Sequence, residues 1–361
     1  MKIYVLLAVA LVTTSCATTV YPGTSDVAPI PGDTNRMIVE VTSGEVLGHR
    51  AVLEDLRSVR HIYVGERHAV PGYQETQLEV LRLLHRSGTK VGVGIEWLPM
   101  ESQPTIDAYI AKHINEAEFV KRVRWRHMWG HNYGAYSPIF RYARQHNIPI
   151  WALGAPHGLA RAVGRKGVRG LPPKWRTQLT PLDTKNRAHR QFFEAMMSAV
   201  AHAHGGHHPP KPHHRRKHHH HKKPQPGPHS PVESMMDRYY DAQVLRDEYM
   251  ARNLAKRLAE TTHSGRVAVV FAGVGHTDFA LGIPLRAAQL VRSPFRIILP
   301  VQNGSMDKHA SSLRNRPYPR RRADYLWEAP KHRPNLAVSG NAEAWLHYSR
   351  AGHLERGAVA R

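Results

Sequence analysis

Short apolar runs of strand length recur along this 361-residue chain, and the first four end in glycine and polar residues. Uninterrupted apolar runs are typical of strands buried on both faces, as they are in parallel sheets. We therefore predict five strands, at residues 61–64, 91–95, 148–153, 267–272 and 296–300. We expect the strand at residues 296–300 to be the last one in the chain.

The segment between the first two runs indicates how the strands connect. Residues 74–85 place Leu78, Leu81 and Leu84 at helical spacing. A strand, a helix and a second strand in succession predict parallel pairing. The expected fold class is α/β, with a mostly parallel β-sheet flanked by helices.

The long connections after the second and third strands predict additional helices. Helical patterns occur at residues 105–112, 116–127, 136–145, 185–202 and 231–260. We expect a small helical lobe, at about residues 156–263, to be inserted over the carboxyl ends of the strands.

Four ionisable residues follow the predicted strands: Glu66, His68, Glu96 and His276. Ligands of open α/β sheets bind beyond the carboxyl ends of the strands, so we expect these residues to converge there. Imidazole nitrogens and carboxylate oxygens are ordinary ligands of a divalent metal, which would activate water at an open coordination position. Without a metal, Glu66 or Glu96 could act as a general base. The alternative is that Glu66 and His68 only hydrogen-bond loop backbone.

The amino terminus is typical of a bacterial lipoprotein signal. Lys2 precedes an apolar run at residues 3–12, and small residues then lead to Cys16, the only cysteine. We predict a signal peptide at residues 1–15, lipidation of Cys16, and a tether at residues 16–35. The expected location is the bacterial cell envelope, at the outer membrane. The alternative is that the apolar run is a signal anchor and that Cys16 has no role in lipidation.

Residues 202–229 form a low-complexity segment with eleven histidines, six lysines and arginines, and no acidic residue. Such a segment cannot build a core. Its neutral imidazoles, including His218, His219, His220 and His221, predict weak multivalent binding of zinc, nickel, copper or haem iron. A solubilising polycation that charges at acidic pH is the other interpretation.

The formal net charge of +23 predicts attraction to acidic surfaces. Part of this charge lies in the His-rich segment and part in the basic tail at residues 329–361. No helix-turn-helix, zinc-finger or aromatic-basic strand signature accompanies it, so we expect no nucleic-acid partner.

A series of short motifs resembles one known family. In chain order they are VGERH at 64–68, QLEVL at 77–81, VGIE at 93–96, WGHNY at 129–133, AP at 155–156, RAVGRKG at 161–167, YDAQVL at 240–245, GVGH at 273–276 and ADYLW at 323–327. Together they resemble the ChaN-like haem-binding uptake lipoproteins, in the superfamily of erythromycin esterases, TraB and Tiki proteins. The resemblance covers residues 36–328 as one domain. The chain departs from the family at three positions. It has Ala69 where the family usually has Asp, Gly154 where Asn is commoner, and Arg246 where Trp is usual.

The resemblance implies a haem pocket in the helical lobe, shared across a homodimer, with a tyrosine as the axial ligand. The tyrosines that we consider as ligands are Tyr133, Tyr136, Tyr239 and Tyr240. Each is equally consistent with a packed helix face. Both Gly-x-x-His sequences, ending at His68 and His276, also resemble the paired motif of Tiki-type metalloproteases.

A cluster of basic residues follows Ala155-Pro156, where we predict that a helix begins. It comprises Arg161, Arg165, Lys166 and Arg169. A helix amino end with these cations would suit an anion such as a haem propionate. A solvated basic face, or contact with lipid head groups, is the alternative.

The leading functional hypothesis is a membrane-anchored haem- or iron-binding lipoprotein that serves uptake. One rival is a metal-dependent hydrolase that uses Glu66, His68, Glu96 and His276. A second rival is a metallochaperone whose activity lies in the His-rich segment. Whether the protein is an enzyme stays open at this point.

Overall fold

The computed structural model describes residues 36–68, 70, 72–179, 181–205, 231–261, 265–302 and 318–330. All of them belong to the compact unit Asn35–Arg361. The predicted signal peptide, Cys16, the tether, His218–His221 and residues 331–361 lie outside the described residues.

The core of the fold is an eight-stranded mixed sheet. Its strands are β1 (Ile38–Glu40), β2 (Val46–Leu47), β3 (His61–Glu66), β4 (Val91–Pro99), β5 (Ile150–Gly154), β6 (Val267–Gly273), β7 (Phe295–Gln302) and β8 (Tyr325–Ala329). They lie in the order β2-β1-β8-β7-β3-β6-β4-β5. The pairs from β8 to β5 are parallel, and β1 pairs antiparallel with β8 and β2. The prediction of a mostly parallel sheet is confirmed.

All five predicted strands form, but the expectation that residues 296–300 make the last strand is wrong. β8 follows β7 and carries β1 and β2 at one edge of the sheet. These three strands have two to five residues each. Strands this short give no clear run or alternation in the sequence, and β8 follows an arginine-rich stretch.

Twelve helices are present in the described part of the chain: α1 (His49–Arg57), α2 (Tyr73–Arg86), α3 (Gln103–Ile110), α4 (Glu116–Arg122), α5 (Trp125–Met128), α6 (Tyr133–Gln145), α7 (Leu159–Lys166), α8 (Pro173–Arg176), α9 (Arg187–Gly205), α10 (Pro231–Glu260), α11 (Val274–Thr277) and α12 (Ile283–Val291). The predicted single helix at residues 116–127 is two helices, because Arg124 adopts a left-handed backbone with φ of 52°.

Helices cover both faces of the sheet. α10 and α12 bury Met250, Leu254 and Ile283 against Tyr63 and Val270 of the strands. α2 packs against β3, β4 and β7 and also contacts α6. This two-sided burial explains why the parallel strands are apolar throughout.

The helical lobe begins after β5 and includes α7 to α10. α7 packs closely on α10, and a side chain at Gly164 would lie 3.4 Å from the ring of Tyr239. α10 then runs past the carboxyl end of β6, where Gln243 and Asp247 contact His276. In the part of the chain that the structure describes, no helix combines the length and apolar character needed to cross a bilayer.

Candidate functional site

Strand order brings three of the four predicted residues to one point. β6 lies between β3 and β4, so Glu66 at the end of β3 is opposite Gly273 in β6. Glu96 in β4 and His276 just after β6 lie at the same edge of the sheet. His276 Nε2 is 3.4 Å from Glu96 Oε1.

His68 completes the predicted group. Its Nδ1 lies 2.7 Å from Glu66 Oε1, and its Nε2 lies 4.0 Å from Glu96 Oε1. The four side chains therefore converge, as parallel topology predicts.

Glu66 is fixed by hydrogen bonds from four side chains. Its Oε2 accepts from the amides of Gln74, at 3.2 Å, and Gln77, at 3.0 Å. Its Oε1 accepts from the Tyr136 hydroxyl at 3.2 Å in addition to the His68 contact. A buried carboxylate with this many donors is held in one position.

Glu96 carries a stable negative charge. The backbone N–H of Gly273 donates to Oε2 at 2.6 Å, and Arg246 forms an ion pair with Oε1. Burial by itself would raise the pKa of Glu96, but the positive charges of His276 and Arg246 outweigh it and hold the pKa well below its usual range.

His276 lies between two carboxylates. Its Nδ1 is 2.6 Å from Asp247 Oδ1, on the side opposite Glu96. Burial opposes protonation, yet the pKa of His276 is raised because Glu96 and Asp247 stabilise the imidazolium. On the far side of Asp247, His189 Nε2 lies 3.4 Å from Oδ2, and burial lowers the pKa of His189 to about 4.

These contacts define a buried network that consists of Glu66, Glu96, Asp247, His189 and His276. Each of the five residues is less than 9 % exposed. Burying so many ionisable groups is costly unless they compensate one another, and here carboxylates alternate with imidazoles and a guanidinium.

A cleft opens in front of the buried network. Its cavity volume is about 220 Å³. Its walls combine apolar rings with imidazoles and guanidinium groups. The lining residues are His68, Glu96, Trp97, Pro99, His127, Met128, Trp129, His131, Gly154, Ala155, Pro156, His157, Gly158, Ala160, Arg161 and Arg246.

Three exposed lining residues, His127, His157 and Arg161, form the cleft mouth. The rings of His127 and His157 lie 5.6 Å apart. Partial burial, the neighbouring His127 and the charge of Arg161 lower the pKa of His157. His157 is therefore a neutral imidazole near pH 7, with a nitrogen lone pair free to bind a metal centre.

One wall of the cleft is built from rings that pack edge-on or tilted against one another. His68 packs edge-on against Trp129 at 4.6 Å, and His131 lies 5.3 Å from Trp129 and 5.4 Å from His68. Burial, followed by the charge of His68, lowers the pKa of His131 to about 4. This wall presents ring surfaces to the cleft.

A family model described as haem-binding uptake, Tiki superfamily, ChaN matches residues 52–287, well over half of the chain. The chain belongs to this family. Among solved structures, the chain is similar to the ChaN protein of Campylobacter jejuni, whose structure shows cofacial haem binding. The TM-score is 0.56 and the identity 15%, over 83% of this chain and 98% of that chain.

Two further structures give lower scores. An erythromycin esterase mutant in its open conformation has a TM-score of 0.40 at 11% identity, over 75% of this chain and 78% of that chain. The type III effector HopBA1 has a TM-score of 0.40 at 10% identity, over 79% of this chain and 94% of that chain. No curated protein matches the sequence.

None of the four tyrosines that we considered as haem ligands is among the residues that line the cleft of this ChaN-family protein. Tyr240 is fully buried, and its hydroxyl lies 3.3 Å from both Asn186 O and His189 Nδ1. Tyr136 donates to Glu66, and Tyr133 packs 5.1 Å from Trp125. Tyr239 packs beside Gly164.

The predicted cations divide into two groups. Arg161 lines the cleft, whereas Arg165 and Lys166 are exposed on α7 and do not line it. Only Arg161 is thus placed to meet an anionic group of a ligand inside the cleft.

The described residues contain no group of three or more His, Cys, Asp or Glu side chains arranged to hold a metal ion. Glu66 and Glu96 instead accept hydrogen bonds from protein donors, and His276 bonds Asp247. The predicted zinc, nickel or copper ligands His218–His221 lie outside the described residues.

Sequence reasoning missed several residues of the site. Asp247 and His189 come from α10 and α9, where only tertiary packing brings them to a strand end. Arg246 stood out as a departure from the family, and it pairs with Glu96. His157 carried a usable signal, because it follows the end of β5 as His68 and His276 follow their strands.

Proposed function

We propose that this protein binds haem in the cleft and acts in haem uptake from the bacterial cell envelope. The observation that carries the proposal is that one cleft combines aromatic rings, accessible imidazoles and cationic side chains. Haem needs these three components: an apolar slot, an axial ligand and cations for its propionates. Membership in the ChaN family supports this assignment.

The residues present fit the chemistry of haem. Trp129 supplies a partly exposed ring surface, and Arg161 supplies a cation at the mouth. His127 and His157 are the most accessible imidazoles of the cleft, so we assign the axial nitrogen to this pair. Haem is cargo here, held for transfer.

Titration of the full chain with haemin, followed by Soret absorbance, tests this function. We expect His127→Ala/His157→Ala to weaken binding at least about tenfold, because an axial bond is lost. The matched control is His113→Ala, an exposed histidine on the turn after α3. Loss of binding on Tyr239→Phe or Tyr240→Phe, with the histidine variant unaffected, would instead assign the ligand to a tyrosine.

The His-rich segment is a possible second source of imidazoles. Replacement of all eleven histidines at residues 202–229 by glutamine separates the two sources. The cleft assignment requires that high-affinity haemin binding persists in this variant. If binding disappears, the protein acts through the segment, as the metallochaperone hypothesis holds.

The proposal also includes the envelope location. An acyl chain on Cys16 would anchor the protein at the outer membrane, and residues 16–35 would serve as the tether. Incorporation of a labelled fatty acid into the wild type and not into Cys16→Ser tests this part. Sedimentation of the chain with and without haemin tests the homodimer that the family resemblance implies.

A hydrolase is the second candidate, and the pairing of His68 with Glu66 favours it. Glu66 orients the imidazole through Nδ1 while His68 lines the cleft, the arrangement of a general base with its orienting carboxylate. Assay of an ester panel with the wild type and Glu66→Gln tests this candidate. Turnover that survives Glu66→Gln excludes the pair as its source.

A further inference from the structure

The surface formed by α7, α8 and the turn between them carries only positive charge. Residues 159–182 contain no acidic side chain. Five of their cations are exposed and, among the described residues, make no ion pair: Arg161, Lys166, Arg169, Lys174 and Arg176. We call these five residues the basic face.

The basic face is a structured surface of the protein. Leu159, Val163 and Leu171, from the same stretch, are buried in a core cluster with Leu245 and Tyr249 of α10. Apolar residues therefore point inward and cations outward along the whole segment. Gly167, with φ of 67°, allows the chain to turn between the two helices.

An aromatic residue adjoins the cations. Trp175 is half-buried against the same core cluster, and Lys174 Nζ lies 5.9 Å from its ring centroid. A partly exposed tryptophan beside lysines and arginines is the composition that favours the interface of a lipid bilayer.

We propose that the basic face binds the phosphate head groups of an anionic membrane. Unpaired cations on a rigid surface match a negatively charged bilayer, and each basic residue near such a surface strengthens attachment. Arg161 belongs both to this face and to the cleft mouth. Contact through the basic face therefore holds the mouth at the membrane surface, independently of any acyl chain.

The test measures co-sedimentation of the full chain with vesicles. All proteins carry Cys16→Ser so that no acyl chain contributes. Vesicles contain either phosphatidylcholine alone or equal parts of phosphatidylcholine and phosphatidylglycerol. We expect the charge-reversal variant Lys166→Glu/Arg169→Glu/Lys174→Glu/Arg176→Glu to bind anionic vesicles at least about tenfold more weakly.

The matched control reverses four exposed cations that lie outside this face: Arg57, Lys90, Lys121 and Lys256. It keeps the same net charge as the test variant. Equal loss in both variants would show that only net charge matters and would overturn the proposal. Unchanged binding of the test variant would also overturn it.

Further controls address folding of the test variant and the nucleic-acid alternative. Haemin binding reports folding, because the four substituted positions lie outside the cleft. A glutamine version of the test variant replaces the glutamate version if the latter fails to fold. Loss of duplex DNA binding in the test variant, with vesicle binding retained, would assign the face to nucleic acid and exclude the membrane.

Discussion

The buried network and the cleft mouth each contain two histidines, in opposite environments. His189 and His276 are at most 1 % exposed and lie beside carboxylates, whereas His127 and His157 are exposed beside each other. Buried charges must be compensated within the protein, while exposed imidazoles keep their lone pairs for a ligand. We infer that the network serves stability and position, and that the mouth serves binding.

Substitution of Glu96 gives the largest expected effect. Glu96→Ala removes the ion pair with Arg246, takes away one of the two carboxylates beside His276 and leaves the Gly273 N–H without its acceptor. We expect the free energy of unfolding to fall by about 3–5 kcal/mol, measured by urea denaturation. Glu118→Ala, which breaks an exposed pair with Arg122, should cost less than about 1 kcal/mol. Equal losses of unfolding free energy in the two variants would show that the buried network contributes no more to stability than an exposed ion pair.

Acid titration should reveal the buried histidine. The pKa of His189 is about 4 in the folded protein because of burial, against an ordinary value of 6.5. Between these values the unfolded chain takes up a proton that the folded protein does not, so stability falls as the pH falls from 6.5 to 4. The contribution is about 1.4 kcal/mol per pH unit.

Urea unfolding across that pH range measures this slope. His189→Asn should have a shallower slope than the wild type, whatever its absolute stability. His113→Asn, an exposed control, should keep the wild-type slope. A slope unchanged by His189→Asn would contradict the assigned burial of a neutral imidazole.

A single hydroxyl should have a smaller effect. Tyr136→Phe removes one of the four donors to Glu66 and leaves the ring packing against Trp97 in place. We expect a loss of about 1 kcal/mol in thermal or urea unfolding. No measurable loss would show that the remaining donors, Gln74, Gln77 and His68, satisfy the carboxylate fully.

The mouth should give the smallest change in stability. His127→Ala/His157→Ala removes two exposed side chains and should alter the free energy of unfolding by less than about 0.5 kcal/mol. The same variant should lose haemin affinity. A large destabilisation would show that the mouth histidines also stabilise the fold. It would contradict the distinction between a stabilising network and a ligand-binding mouth.

Much of the site follows from the strand pattern alone. Glu66, Glu96 and His276 each come at or near the end of an apolar run, and parallel topology then brings them together. The pattern could not indicate Asp247 or His189, because their helices reach the site only through packing of the lobe. It also could not indicate β1, β2 and β8. These strands are short, and β1 pairs with β8 from the other end of the described chain.

The choice among the tyrosine ligands stays a prediction, and it shows a different limit of sequence reasoning. The family resemblance suggested tyrosine ligands by residue type, but the side-chain direction on each helix depends on what packs against it. Tyr240 turns toward His189, and the cleft is lined by histidines instead. Residue type and spacing do not determine that direction.

The position of β6 has a consequence for how the chain matures. This strand inserts between β3 and β4, although it follows them by more than 170 residues and lies beyond the His-rich segment. During synthesis, β3 and β4 must wait for residues 267–273 before the gap between them is filled. A chain interrupted before Val267 has neither Gly273 nor His276 to neutralise and hold Glu96. Ligand competence therefore arises late, as the final third of the polypeptide joins the first.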